Sequence, residues 1–267
     1  MKMKIPGACR PLPAAWATAA IVLLSACGGG GSSGETAAAP GPLAAPTGCQ
    51  PIPQNLRSTF EVEGPSPYSA DGCAMVFDAL AAQYTTSNGH GWRHELKIPS
   101  RLRTGMTRTS ETLVADFTVD LSKGGKTIIT QYHAEGTGTI VKVYVADSAE
   151  SGFLNSVAND GIFDVYVRIL PAGSSSEEKM ALGTIVSGNT FQLSVSNQRG
   201  NVSVSAFGRT KTAAVADGGA SYLKFGNYLQ SQDPVSLQNC SPFAGCYAAY
   251  GIVEAKVTMR NVSYSRD

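Results

Sequence analysis

From Thr112 onward the chain alternates apolar and polar residues in short runs separated by Gly, Asn, Asp or Ser, the period-two pattern of strands buried on one face. The runs are Thr112 to Leu121, Thr127 to Glu135, Thr139 to Ala146, Ile162 to Leu170, Met180 to Val186, Thr190 to Ser196, Val202 to Phe207, Ser221 to Gln230 and Ile252 to Tyr264. All are rich in β-branched or aromatic residues. Ser122-Lys123-Gly124-Gly125 and Asn197-Gln198-Arg199-Gly200 lie between such runs and supply glycine where a hairpin needs positive φ. One stretch reads as helix, Ser69 to about Gln83, where Ala74, Val76, Phe77, Leu80 and Ala81 recur at helical spacing. With two further strands expected upstream, the pattern predicts an all-β fold, an antiparallel β-sandwich or jelly roll.

Three segments gather polar residues on one strand face. In Arg93-His94-Glu95-Leu96-Lys97-Ile98 the alternation puts Arg93, Glu95 and Lys97 on one side and His94, Leu96 and Ile98 on the other. In Thr127 to Glu135 it makes Ile129, Gln131, His133 and Glu135 cofacial. In Ser221 to Gln230 it sets Leu223, Phe225, Asn227 and Leu229 against Tyr222, Lys224, Gly226, Tyr228 and Gln230. Cofacial neighbours stand roughly 7 Å apart along a strand, about the separation of groups on consecutive sugars. Each segment has a plainer explanation as a solvated face with weak ion pairs. Gly226 is less ordinary, because a glycine inside a strand marks close approach of a ligand or another backbone.

Composition narrows the setting. A net charge of +1 and 15% charged residues over 267 residues give no global signal for nucleic acid, so attraction for an acidic partner must be local. Lys2, Lys4 and Arg10 precede an apolar run from Ala14 to Leu24, the build of an export signal too short to span a membrane comfortably. Leu24-Ser25-Ala26-Cys27 resembles the bacterial lipobox, which implies a signal over residues 1–27 and a lipidated Cys27; Gly28 in place of Asp implies an outer-membrane destination. Residues 28–48 are Gly, Ser, Ala and Pro and read as a flexible tether, leaving 49–267 as the folded domain. In an oxidising compartment Cys49, Cys73, Cys240 and Cys246 allow three pairings, of which Cys49 with Cys73 and Cys240 with Cys246 is expected. Their spacing does not resemble a zinc site, so no metal is expected.

Taken in order, the three polar segments resemble a family. Arg93-His94-Glu95-Leu96-Lys97 is similar to the R-[ST]-E-L-R strand of the alginate lyases of polysaccharide lyase family 7, Gln131-Tyr132-His133 to their Q-[IV]-H strand, and Tyr222 to Gln230 to Y-F-K-A-G-x-Y-x-Q. The resemblance runs from about Cys49 to the C-terminus and implies a concanavalin-like jelly roll with a concave substrate groove. His94, Lys97, Tyr132 and Phe225 depart from the pattern; His94, Tyr132 and Phe225 fall on the opposite strand face, and Tyr132 replaces the residue the family links to substrate preference.

The activity implied is β-elimination on a uronate polymer: the C5 proton is removed, the O4 substituent leaves, and a 4,5-unsaturated sugar results. The resemblance assigns neutralisation of the uronate carboxylate to Arg93 and Gln131, through a guanidinium fork and an amide hydrogen bond. It assigns the base to His133 and the acid, or both roles, to Tyr228, whose phenolate cations such as Lys224 and Arg93 would stabilise. Glu95, Lys97, Tyr222, Lys224 and Gln230 are expected to bind substrate, and Arg101, Arg103 and Arg108 to extend a basic groove or form a solvated loop. No cofactor is required, the partner is an acidic polysaccharide, and a monomer anchored only by its lipid is expected. Mannuronate, guluronate and glucuronate blocks all remain open. A carbohydrate-binding module would keep the aromatics and cations without needing His133 and Tyr228 together. A glycoside hydrolase needs two carboxyl groups flanking the bond, and Glu177 and Glu178 are adjacent and point apart.

Overall fold

The computed structural model describes residues 48–150, 153–155, 157–215 and 219–267. The expected signal over 1–27, Cys27 and the tether up to residue 47 lie outside the described residues. In chain order the elements are α1 (Gln54–Thr59), β1 (Glu61–Glu63), β2 (Met75–Asp78), α2 (Ala79–Ala82), β3 (Gly91–Lys97), β4 (Ser110–Leu121), β5 (Lys126–Ala134), β6 (Gly138–Ala146) and β7 (Ile162–Ile169). They continue as β8 (Glu178–Val186), β9 (Thr190–Gln198), β10 (Asn201–Ala206), β11 (Arg209–Ala214), β12 (Ser221–Gln230), α3 (Phe243–Ala249) and β13 (Ala255–Arg266).

The strands form two antiparallel sheets. One has the order β1-β3-β12-β5-β6-β7-β8 and the other β11-β10-β9-β4-β13-β2. Strand β4 alternates buried and half-buried positions along its whole length, as period-two patterning requires. Its inward residues Leu113, Ala115, Phe117 and Val119 share one core with Leu193 and Val195 of β9, Val141, Val143 and Val145 of β6, and Leu223, Phe225 and Leu229 of β12. The sandwich expected from the alternation is therefore the observed fold, and each of the nine predicted runs contributes a strand.

The helix expected over Ser69 to Gln83 does not form. Met75–Asp78 is instead a strand, with Phe77 opposite Val257 of β13, and only Ala79–Ala82 turns helically, capped by the Asp78 carboxylate accepting from the Ala81 N–H at 2.9 Å. Burial of Met75 and Phe77 against β13 outweighs the helical spacing of the alanines. Cys49 pairs with Cys73 and Cys240 with Cys246, at Cα–Cα separations of 5.4 and 5.9 Å.

Two irregularities shape the outer face of the first sheet. The β5–β6 register shifts between Ile128 and Thr130, and the β12–β5 register between Phe225 and Tyr228. Such bulges re-aim side chains. Ile129, expected beside Gln131, is consequently in the core, and Ile128 takes the outer face with Tyr144, Tyr166 and Tyr228.

Candidate active site

Strands β3, β12 and β5 lie side by side and bring the three polar segments onto one face. Register sets Arg93 opposite Tyr228, Lys224 opposite Gln131, and Tyr222 opposite His133. Leu223, Phe225 and Leu229 fill the core behind them. Asn227 on that same inner side is fully buried and donates to the backbone carbonyls of Phe77 and Ala255 at 3.1 and 2.7 Å. His94 also faces inward: it accepts from the Asp78 N–H through Nδ1 at 2.9 Å, so its Nε2 carries the proton and donates to Pro65 O at 2.8 Å. Burial lowers its pKa, and it serves as a neutral structural residue. Tyr132 is fully buried in the core, so it does not contact a ligand on the outer face.

The outer face carries a connected chain of charges. Glu95, 1% exposed, accepts a hydrogen bond from Gln131 Nε2 at 2.6 Å on one oxygen. Its other oxygen lies 3.0 Å from Lys224 Nζ and 3.7 Å from Arg93 Nη1, as an ion pair outside hydrogen-bond alignment. Lys224 also donates to Glu63 Oε2 at 2.6 Å, and Lys97 to Glu63 Oε1 at 2.9 Å. Burial would raise the Glu63 carboxyl, but Lys224 and Lys97 overcome it and hold it below the usual carboxylate range. Burial would likewise lower Lys97, whose ammonium Glu63 and Glu61 push upward. Charges this deep persist only when paired, and here each is. Glu63 escaped the sequence reading, although the alternation Glu61-Val62-Glu63 beside three cation-bearing segments was the available signal.

The amide of Gln131 is oriented by these contacts. Because the Glu95 carboxylate only accepts, the Gln131 nitrogen faces it, and the Gln131 oxygen faces His133 Nε2 at 3.1 Å. His133 therefore carries its proton on Nε2, and its free lone pair is on Nδ1, 3.2 Å from the Thr139 hydroxyl. Burial, together with Lys224 and Arg93, pushes the His133 imidazole down to about 3, so it is neutral at ordinary pH.

At the far end of the chain Arg93 stacks its guanidinium 3.9 Å above the Tyr228 ring. The Tyr228 hydroxyl accepts from the His90 N–H at 2.7 Å. The Nε–H of Arg93 is buried without a hydrogen-bond partner. His133, Gln131, Glu95, Arg93 and Tyr228 are thus linked in series, with Lys224 beside their centre.

Tyr222 is sandwiched between the His133 ring, stacked at 5.2 Å, and the Arg103 guanidinium at 3.7 Å. These three residues, with Ser100 and Glu135, line a cleft of about 460 Å³. A second cleft of about 530 Å³, lined by Thr85, Ser87, His90, Asn239 and Cys240, opens beside the Tyr228 contact. Gln230 donates to the Tyr228 carbonyl at 3.0 Å. Of the three arginines after the first segment only Arg103 joins these groups; Arg101 and Arg108 are exposed in short 3-10 turns.

A family model described as alginate lyase matches residues 43–263. No curated protein matches the chain. Among solved structures it is similar to an alginate lyase from Alteromonas sp. 272, with 51% identity and a TM-score of 0.79 over 82% of this chain and 99% of that one. It is similar also to aly-SJ02, a polysaccharide lyase of family 18, with 52% identity and a TM-score of 0.78 over 81% of this chain and 99% of that one. An alginate lyase of Pseudomonas aeruginosa shares the fold at 18% identity, with a TM-score of 0.57 over 79% of this chain and 99% of that one. With a family match over most of its length and half-identical relatives covered almost end to end, the chain belongs to the alginate lyase family.

Proposed function

We propose that the domain cleaves alginate by β-elimination, with the linked series from His133 to Tyr228 as its catalytic centre. The observation that carries this is the joining of a neutral imidazole, a carboxylate-binding pair and a phenol on one sheet face. The uronate carboxylate binds the Arg93 guanidinium and the Gln131 amide; this draws off charge and acidifies C5. A base takes the C5 proton, the C5–H electrons become the C4=C5 double bond, the C4–O4 bond breaks, and O4 receives a proton from Tyr228. His133 serves as base through Nδ1 once the substrate displaces the Thr139 hydroxyl. Where proton and leaving group lie on the same side of the ring, Tyr228 takes both roles, with Arg93 and the His90 N–H stabilising its phenolate. Glu95 holds Arg93, Gln131 and Lys224 in place. Lys97, Tyr222, Lys224 and Gln230 bind flanking sugars.

The test is ultraviolet absorbance of the unsaturated product with polymannuronate, polyguluronate and glucuronan offered separately. Absorbance rising on either alginate polymer supports the reading; a flat trace on all three, with binding retained, replaces it with a carbohydrate-binding module. The His133 environment also sets the pH response. Because its imidazole titrates at about 3, kcat/KM has no acid limb near the ordinary histidine value of about 6.5. A limb centred there would overturn the neutral-base assignment.

We further propose that residues 1–27 direct export, that Cys27 is lipidated at the outer membrane, and that 28–48 tether a monomeric domain starting at Cys49. Incorporation of labelled palmitate, lost in Cys27→Ser, tests the anchor.

A further inference from the structure

We propose that β6, β7 and β8 carry a uronate-binding rail, built by Lys142, Arg168 and Lys179, along which the polymer lies across the strands; this rests on the lyase reading above.

The rail is written in the register. Lys97 pairs with Lys224, Lys224 with Gln131, Gln131 with Lys142, Lys142 with Arg168, and Arg168 with Lys179, one residue on each of six adjacent strands. Residues directly opposite share a face, so the row leads straight from the centre of the catalytic series toward the β8 edge. At about 4.8 Å per strand it is roughly 24 Å long. A chain of uronates presents one carboxylate per sugar, and a row of cations one strand apart matches a regularly charged polymer better than it matches a compact ligand.

At this end four cations, Lys126, Lys142, Arg168 and Lys179, share two carboxylates, Glu150 and Glu177, in ion pairs. The excess is felt locally: burial and the cations Arg168, Lys179 and Lys142 push the Lys126 ammonium down to about 7. Arg168 keeps a buried Nε–H without a hydrogen-bond partner.

The two carboxylates differ in kind. Glu150 is buried and saturated, taking Lys126 at 3.3 Å, the Tyr166 hydroxyl at 2.9 Å, Lys179 at 3.0 Å, and Arg168. Glu177 lies in the exposed turn between β7 and β8, partly open to solvent, 2.5 Å from Lys142 and 3.7 Å from Arg168. A uronate carboxylate that replaces Glu177 keeps both cations paired, so Glu177 occupies the subsite in the empty protein.

The experiment compares kcat/KM on an alginate octamer with that on a trimer, which is too short to cover the whole row. In Lys142→Gln/Lys179→Gln, two partly exposed positions, the octamer-to-trimer ratio falls about tenfold, as expected for losing two solvent-screened ion pairs. In Glu177→Gln the ratio rises. An unchanged ratio, an equal loss on both substrates, or a falling ratio in Glu177→Gln overturns the rail. Should the unaltered chain form no unsaturated product, the lyase reading fails separately. Octamer binding by calorimetry then decides the rail, through weaker affinity in the double variant or none.

Discussion

Tyr228→Phe lowers kcat by about a thousandfold, the middle of the range for a positioned acid or base, while the domain keeps its unfolding transition. The substitution removes one oxygen. The Phe ring still lies beneath the Arg93 guanidinium, so packing and the stacking contact persist. What is lost is the atom that accepts the His90 N–H at 2.7 Å and, in the proposed mechanism, delivers a proton to O4. That N–H borders a cleft of about 530 Å³, where water replaces the lost acceptor. Formation of unsaturated product, measured at saturating polymer, reports the effect. A loss of less than tenfold removes Tyr228 from the chemistry and leaves His133 to act with solvent.

Gly226→Ala destabilises the domain by about 3–5 kcal/mol, among the largest single effects expected outside the catalytic groups. Gly226 sits at φ +138°, in the bulged part of β12. A Cβ there would stand 2.5 Å from the His94 carbonyl oxygen, 2.9 Å from Phe77 Cδ1 and 3.0 Å from Glu95 Cα. Two of these are backbone atoms of the neighbouring strand, which cannot retreat without shifting Arg93 and Glu95 as well. Gly173, at φ +75° with nothing within 4 Å of its Cβ position, isolates backbone strain from collision, and Gly173→Ala costs about 1 kcal/mol. Urea unfolding of the two variants separates the terms. Equal losses would mean that conformation alone sets the cost.

Gly226 was also legible in the sequence. Its place in the alternation of β12 announced a close approach, and the approach is by the backbone of β3. The nine long strands were legible because β-branched and aromatic residues alternate over many positions. Arg209–Ala214 was not, since a sequence of Arg, Thr, Lys and Ala has no apolar face and joins the sheet only as an edge beside β10. Helix α3 escaped because seven residues that follow a proline and hold the disulfide-bonded Cys246 in their middle offer too short a period to read. Of the candidate site, Arg93, Glu95, Lys97, Gln131, His133, Tyr222, Lys224, Tyr228 and Gln230 were each on the expected side of a strand. Ile129 was not, because strict alternation cannot foresee a bulge, and Glu63 and Glu150 were missed because they lie on a three-residue strand and in a loop.

The polar contacts beneath the groove join distant parts of the chain. Lys224 meets Glu63 across 161 positions, the His90 N–H meets Tyr228 across 138, and Gln131 meets Glu95 across 36. Neither Lys224 nor Tyr228 finds its partner by local sampling, so the entropy of closing very long loops is spent before Lys224 is compensated. A nascent chain still lacking β12 can pair Arg93 and Lys97 with Glu63 and Glu95 but lacks Lys224 and Tyr228, so the charges of the site are only partly compensated. Catalytic competence therefore arrives only with the last long-range pairing, and regain of activity on refolding is a clock for completion of the sheet rather than for collapse of the core.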